Sequence, residues 1–193
     1  MHFTHKTSTT LALLAVSGFA LTPAMAQNLV TNPGFETGSL AGYTFSGSVF
    51  LALGPHTGTY AAAFNSQNPP SRLSQNIATT AGNTYNVSFF LWNREGISSA
   101  NEFQASFSGF QGVDMVNAPA FNYKQFSFTA TASGPTSTLQ FAVPSSGVFW
   151  LDDISVTDAG PAAVPEASSV VSMGLLLALG LGGIAVVRRK LSA

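Results

Sequence analysis

Few side chains in this chain can do chemistry. Between Gln27 and Gly160 seven carboxylates (Glu36, Glu95, Glu102, Asp114, Asp152, Asp153 and Asp158) stand against three bases (Arg72, Arg94 and Lys124), a net charge of −4. His56, in the turn Gly-Pro-His-Thr-Gly, is the one histidine of that stretch, and the chain has no cysteine. A Ser–His–Asp relay needs an acid and a nucleophile arranged around its histidine. Nothing near His56 supplies that context, so it reads as a solvated loop residue. Glu95 and Glu102 could form a glycosidase pair, one the acid and the other the nucleophile or base. They flank the loop Gly-Ile-Ser-Ser-Ala-Asn, however, where exposed carboxylates are expected in any case. Thiol catalysis, Cys-based zinc and a disulfide framework are excluded. No phosphate-binding glycine loop or histidine cluster occurs, and between Gln27 and Gly160 no clustered bases exist to neutralise nucleic-acid phosphates. The chain reads as a non-enzyme that does not bind nucleic acid.

These groups must be positioned by strands. Residues 83–93, "NTYNVSFFLWN", alternate Tyr85, Val87, Phe89 and Leu91 against Asn86, Ser88, Phe90 and Trp92. "NEFQASFSGF", "YKQFSFTATA" and "STLQFAV" alternate in the same way. Ala81-Gly82-Asn83 and Ser133-Gly134-Pro135 read as turns between them. A period of two with aromatic and β-branched content specifies antiparallel strands. No helical period intervenes, so residues 27–158 are expected to form an all-β, antiparallel sandwich of roughly eight strands, a jelly roll.

The two ends of the chain read as addresses. Residues 1–26 have a lysine, an uncharged run "LALLAVSGFAL" and the small-residue site Ala24-Met25-Ala26 before Gln27. These are the parts of a signal peptide, handing the chain to the secretion machinery and leaving Gln27 as the mature start. At the other end, residues 170–187 carry no charge. As a helix they span ~27 Å, enough for a hydrocarbon core of about 30 Å. Arg188, Arg189 and Lys190 follow at once, and such bases stay cytoplasmic. A linker, 159–169, contains Val164-Pro165-Glu166, where the proline keeps the chain extended and out of the helix. Taken together, the Pro-Glu motif, the membrane helix at 170–187 and the basic tail at 188–193 resemble the PEP-CTERM sorting signal of Gram-negative bacteria. One departure is Ala167, where that signal usually has a second proline. The resemblance implies processing by an exosortase, a transient inner-membrane anchor facing the periplasm, and a final place at the cell surface or in a biofilm matrix. A plain tail anchor is the alternative.

Residues 28–38, "NLVTNPGFETG", and 147–157, "GVFWLDDISVT", bracket the exported domain. On Asn32, Gly34, Phe35 and Glu36, and on Asp152, Asp153, Ile154 and Val156, they resemble galactose-binding-like carbohydrate-binding modules of families 4, 9 and 22. The resemblance implies that the first and last strands lie together and that a structural calcium ion sits near them, with Glu36, Asp152 and Asp153 as the carboxylates. Calcium needs a ring of hard oxygen donors. If Ile154 and Val156 face inward, parity puts Asp152 on their face and Asp153 on the other. An inward carboxylate is costly unless paired or metal-bound.

Pyranose rings stack on exposed aromatic faces through their apolar C–H surface. The candidate platforms are Trp92 with Phe90, then Tyr43 and Tyr123, with Asn93, Arg94 and Gln125 as hydrogen-bonding partners. Sixteen phenylalanines equally suit a packed core, and Trp150 beside Leu151 reads as packed. The reading is an exported, non-enzymatic matrix protein that associates with exopolysaccharide. The alternatives are a structural matrix protein without a specific glycan, and a glycoside hydrolase.

Overall fold

The computed structural model describes residues 26–66, 70–95 and 101–162. They build two five-stranded antiparallel sheets. The first runs β1 (Thr44–Ser46), β4 (Ser71–Ala78), β9 (Thr136–Val143), β6 (Glu102–Phe107), β7 (Phe110–Val116). The second runs β2 (Val49–Leu53), β3 (Tyr60–Ser66), β10 (Gly147–Pro161), β5 (Asn83–Asn93), β8 (Phe121–Thr131). The all-β sandwich expected from the alternation is present, with ten strands among the described residues rather than roughly eight. β10 runs on to Pro161, past the expected boundary at Asp158.

The core lies between the sheets, where the alternating residues meet. Tyr85, Val87, Phe89 and Leu91 of β5 are buried, as are Phe103, Ala105 and Phe107 of β6 and Leu139, Phe141 and Val143 of β9. Phe89 is the hub: its ring lies 5.1 Å from Phe141, edge to face, and 6.0 Å from Phe103. Such aromatic pairs add to area burial, and truncating a buried Phe typically costs about 3–5 kcal/mol. Tyr85 is the one member of the β5 row with a polar end. Its hydroxyl accepts from the Thr80 N–H and donates to Asp158 at the rim.

The opening segment lies along the final strand. Leu29 N–H donates to Val156 O at 2.8 Å and Ile154 N–H to Pro33 O at 3.0 Å. The Asn28 amide donates to Ile154 O and accepts from Val156 N–H. Phe35 is carried from this segment into the core.

β10 does not keep one phase. Leu151 pairs with Leu91 and Asp152 with Phe90, yet Ser155 pairs with Ser88, so three steps on β10 match two on β5. Asp153 takes a positive φ of 47° within this bulge. Such a bulge exchanges the faces that residues point to on either side of it. Counting back from the buried Ile154 and Val156 therefore gives the wrong side for Asp152. It shares the outer face with Phe90 and Trp150, not the core face.

Ala24, Val164, Pro165, Glu166, the apolar run 170–187 and Arg188–Lys190 lie outside the described residues. Ala26 and Gln27 open the described chain and are exposed. No helix among the described residues is long and apolar enough to cross a membrane.

Candidate functional site

The outer face of the second sheet carries an aromatic row. Leu91 and Leu151 pair and face the core, so their chain neighbours Trp92 and Trp150, which also pair, face outward. The two indoles meet edge to face, with centroids 5.1 Å apart and planes at 69°. Tyr123 extends the row onto β8, 5.6 Å from Trp92. Arg94 follows at the end of β5, where its N–H donates to Val148 O at 3.0 Å. Its guanidinium rests 4.4 Å from the Trp150 ring centre and 5.0 Å from that of Trp92. Trp92, Asn93, Arg94, Ala120, Phe121 and Asn122 line an open cleft of about 410 Å³ beside this row.

A loop, residues 54–59, borders the row and is held by carboxylates. Gly54, at φ +128°, lies flat on Trp150; a Cβ there would stand 2.6 Å from the indole. The Tyr123 hydroxyl donates to Gly54 O at 3.2 Å. Burial raises the pKa of this phenol and the charges of Asp152 and Asp153 raise it further, so it stays a neutral donor. Asp152, fully buried, accepts the backbone N–H groups of His56 and Thr57 on one oxygen and that of Asp153 on the other. Its burial lifts its pKa to about 6, against the opposing pull of those N–H groups. Asp153 takes the Thr57 hydroxyl at 2.6 Å and the His56 ring nitrogen Nδ1 at 2.7 Å. Glu36 accepts the N–H groups of Tyr60 and Thr59, and these hold its carboxyl below the ordinary range. The residue types read for calcium are thus gathered around one loop and joined to it by hydrogen bonds.

Their chemistry also suits a hard cation. Asp152 Oδ1 and Asp153 Oδ1 would each lie 3.6 Å from a Cβ at Gly34, so they face one small space. Each accepts one hydrogen bond, and a carboxylate oxygen has a second lone pair. No three His, Asp or Glu side chains among the described residues form a metal set by themselves. Backbone carbonyls or water would have to complete a calcium shell.

Of the residues expected on the aromatic face, Trp92, Tyr123 and Arg94 come together there. Phe90 also faces outward, but His56 lies flat on it, centroids 3.6 Å apart and planes 11° off parallel. His56 is thus an exposed loop residue, as expected, that is also stacked and hydrogen-bonded, and it covers the Phe90 ring that a sugar would use. Gln125 pairs with Phe90 in register and is exposed. Tyr43 packs elsewhere, 5.3 Å from Phe35, and its hydroxyl donates to Asn32 O. Asn93 faces inward, fully buried, and its amide donates to Ala118 O and Pro119 O. Glu102 accepts hydrogen bonds from Gln104 and Ser145. Trp150 is packed as expected, by Gly54, Arg94 and Trp92, but on the outer face of the sheet. The missed signal was that Phe149 and Leu151 both fit a core, which leaves Trp150 on the other side.

No protein-family model matches the chain, and no curated protein sequence matches it. Solved structures do share its fold. The TmCBM61 module, solved in complex with β-1,4-galactotriose, is 22% identical with a TM-score of 0.54, over 69% of this chain and 99% of that one. The CBM22-1 xylan-binding domain of Paenibacillus barcinonensis Xyn10C is 14% identical with a TM-score of 0.50, over 74% of this chain and 100% of that one. The CBM22-1–GH10 modules of Clostridium thermocellum xylanase 10B, complexed with xylohexaose, are 18% identical with a TM-score of 0.52. There the match covers 73% of this chain and 30% of that one. The β-sandwich fold of this chain is thus shared with these carbohydrate-binding modules.

Proposed function

We propose that this chain is an exported, non-enzymatic cell-surface or matrix protein that binds polysaccharide on the outer face of the β2-β3-β10-β5-β8 sheet. One observation carries the reading: Trp92, Trp150 and Tyr123 form a continuous outward row beside an open cleft. Indole and phenol faces give a sugar ring apolar contact, and the cleft adds polar partners at its rim. The shared fold supports the reading without naming a sugar. Affinity electrophoresis through gels containing the producer's exopolysaccharide tests it, with retardation as the expected result.

The other parts of the reading rest on the sequence. Export follows from the segment ending at Ala24-Met25-Ala26. Exosortase processing and the transient anchor follow from Val164-Pro165-Glu166, the apolar run 170–187 and Arg188-Arg189-Lys190. One structural calcium ion held by Glu36, Asp152 and Asp153 would bind the loop 54–59 more firmly to β10.

A second reading is a structural matrix protein without a specific glycan. It is favoured by Arg94, which already rests over both indoles and satisfies part of their surface from within the chain.

A further inference from the structure

We infer that the polysaccharide taken by this face is acidic, and that Arg94 reads its carboxylates. The inference rests on the glycan-binding reading above and narrows it to a chemical class. Residues 27–160 hold three bases against seven acids, so the domain as a whole repels an anionic polymer. One of the three bases, Arg94, nevertheless stands at the cleft, while Lys124 pairs with the core-facing Leu91 and so lies on the other face of the sheet. The Arg94 guanidinium lines the cleft beside Trp92. No acid lines the cleft.

Arg94 pairs with no carboxylate among the described residues. The one ion pair among the described residues joins His56 to Asp153. Asp152 is committed to N–H groups of the 54–59 loop, and Asp153 to Thr57 and His56. Two indoles hold the guanidinium in place without using its N–H groups. Such a guanidinium offers a preset fork to a planar carboxylate, with little entropy left to lose. A neutral sugar would be served by an amide at that position, whereas a uronic acid sets its carboxylate beside a ring that can stack on Trp92. A base held here gives a local attraction within an otherwise acidic surface.

The test uses the full chain in a non-sugar, non-ionic detergent, against polygalacturonate, alginate and hyaluronate, each beside its carboxyl-reduced form. At least one acidic polymer should bind about tenfold more tightly than its reduced form, as expected for a charge-assisted pair. Arg94→Gln should bring acidic binding down to the reduced level, and Arg94→Lys should restore part of the difference. An unchanged melting temperature in both variants confirms that they fold. Equal binding of acidic and reduced forms, insensitive to Arg94→Gln, overturns the acidic class but leaves glycan binding standing. Binding of none of the six polymers overturns the acidic class, and failure on the producer's own exopolysaccharide as well removes the glycan reading beneath it.

Discussion

The missing side chain of Gly58 is the seat of the Glu36 carboxylate. A Cβ at Gly58 would stand 2.5 Å from Glu36 Cδ, and Gly58 holds a φ of +73° that other residues adopt only under strain. Glu36 from the opening segment, and Asp152 and Asp153 from the last strand, thus grip one loop from two sides. That loop in turn lies on Trp150 and Phe90, so the acidic end of the domain shapes the aromatic row.

Gly58→Ala meets both the clash and the strained φ. It should lower unfolding stability by about 1–3 kcal/mol, read from the urea midpoint. A change within about 0.5 kcal/mol, the range of an ordinary surface substitution, would mean that the Glu36 seat is not a structural constraint.

Asp158 closes the far end of β10. Its carboxylate accepts from Gly160 N–H at 2.7 Å, from the Asn83 amide and from the Tyr85 hydroxyl, and these bonds hold its pKa below the ordinary 3.8. A group whose pKa is lower in the folded state stabilises above its unfolded pKa and loses that contribution as pH falls through the folded one. The stability gap between wild type and Asp158→Asn at pH 7 should therefore close as pH drops below about 4. A gap that persists undiminished at pH 2 would show that the charge is not its source.

Calcium is expected to raise the melting temperature through preferential binding to the native state. The shift should disappear on chelation and be reduced in Glu36→Ala. An identical calcium response in wild type and variant removes Glu36 from the site, and no response in wild type removes the ion.

The C-terminal reading makes its own prediction. A plain anchor depends on apolar length and flanking charge, so Pro165→Ala with Glu166→Ala would leave it untouched. A processed signal needs the extended Pro-Glu segment, so in exosortase-positive cells the double variant should accumulate uncut in the inner membrane while wild type leaves it. Wild type that stays full length would make the chain a tail-anchored protein.

The fold was legible where one face alternates cleanly. β5 falls on residues 83–93 as the Tyr85-Val87-Phe89-Leu91 row required, with Phe90 and Trp92 opposite. It was less legible in β3, where Ala61, Ala62 and Ala63 are all buried and so carry no alternation to read. The site was harder because its key contacts are remote in sequence. Nothing local marks that His56 will lie on Phe90 or that Gly54 will cover Trp150. The bulge at Asp152–Ser155 displaced the phase of β10, and that one extra residue misplaced Asp152.

The Trp92–Trp150 row is proposed to bind polysaccharide. Affinity electrophoresis of the full chain on the producer's exopolysaccharide, beside Trp92→Ala and Trp150→Ala, tests it most directly. Both indoles are partly exposed, so each variant should keep its cooperative unfolding transition. Wild type should be retarded, and each variant should lose binding by about tenfold or more, as loss of a central aromatic anchor entails. Retardation that is identical in wild type and both variants, or absent in wild type, would contradict the account.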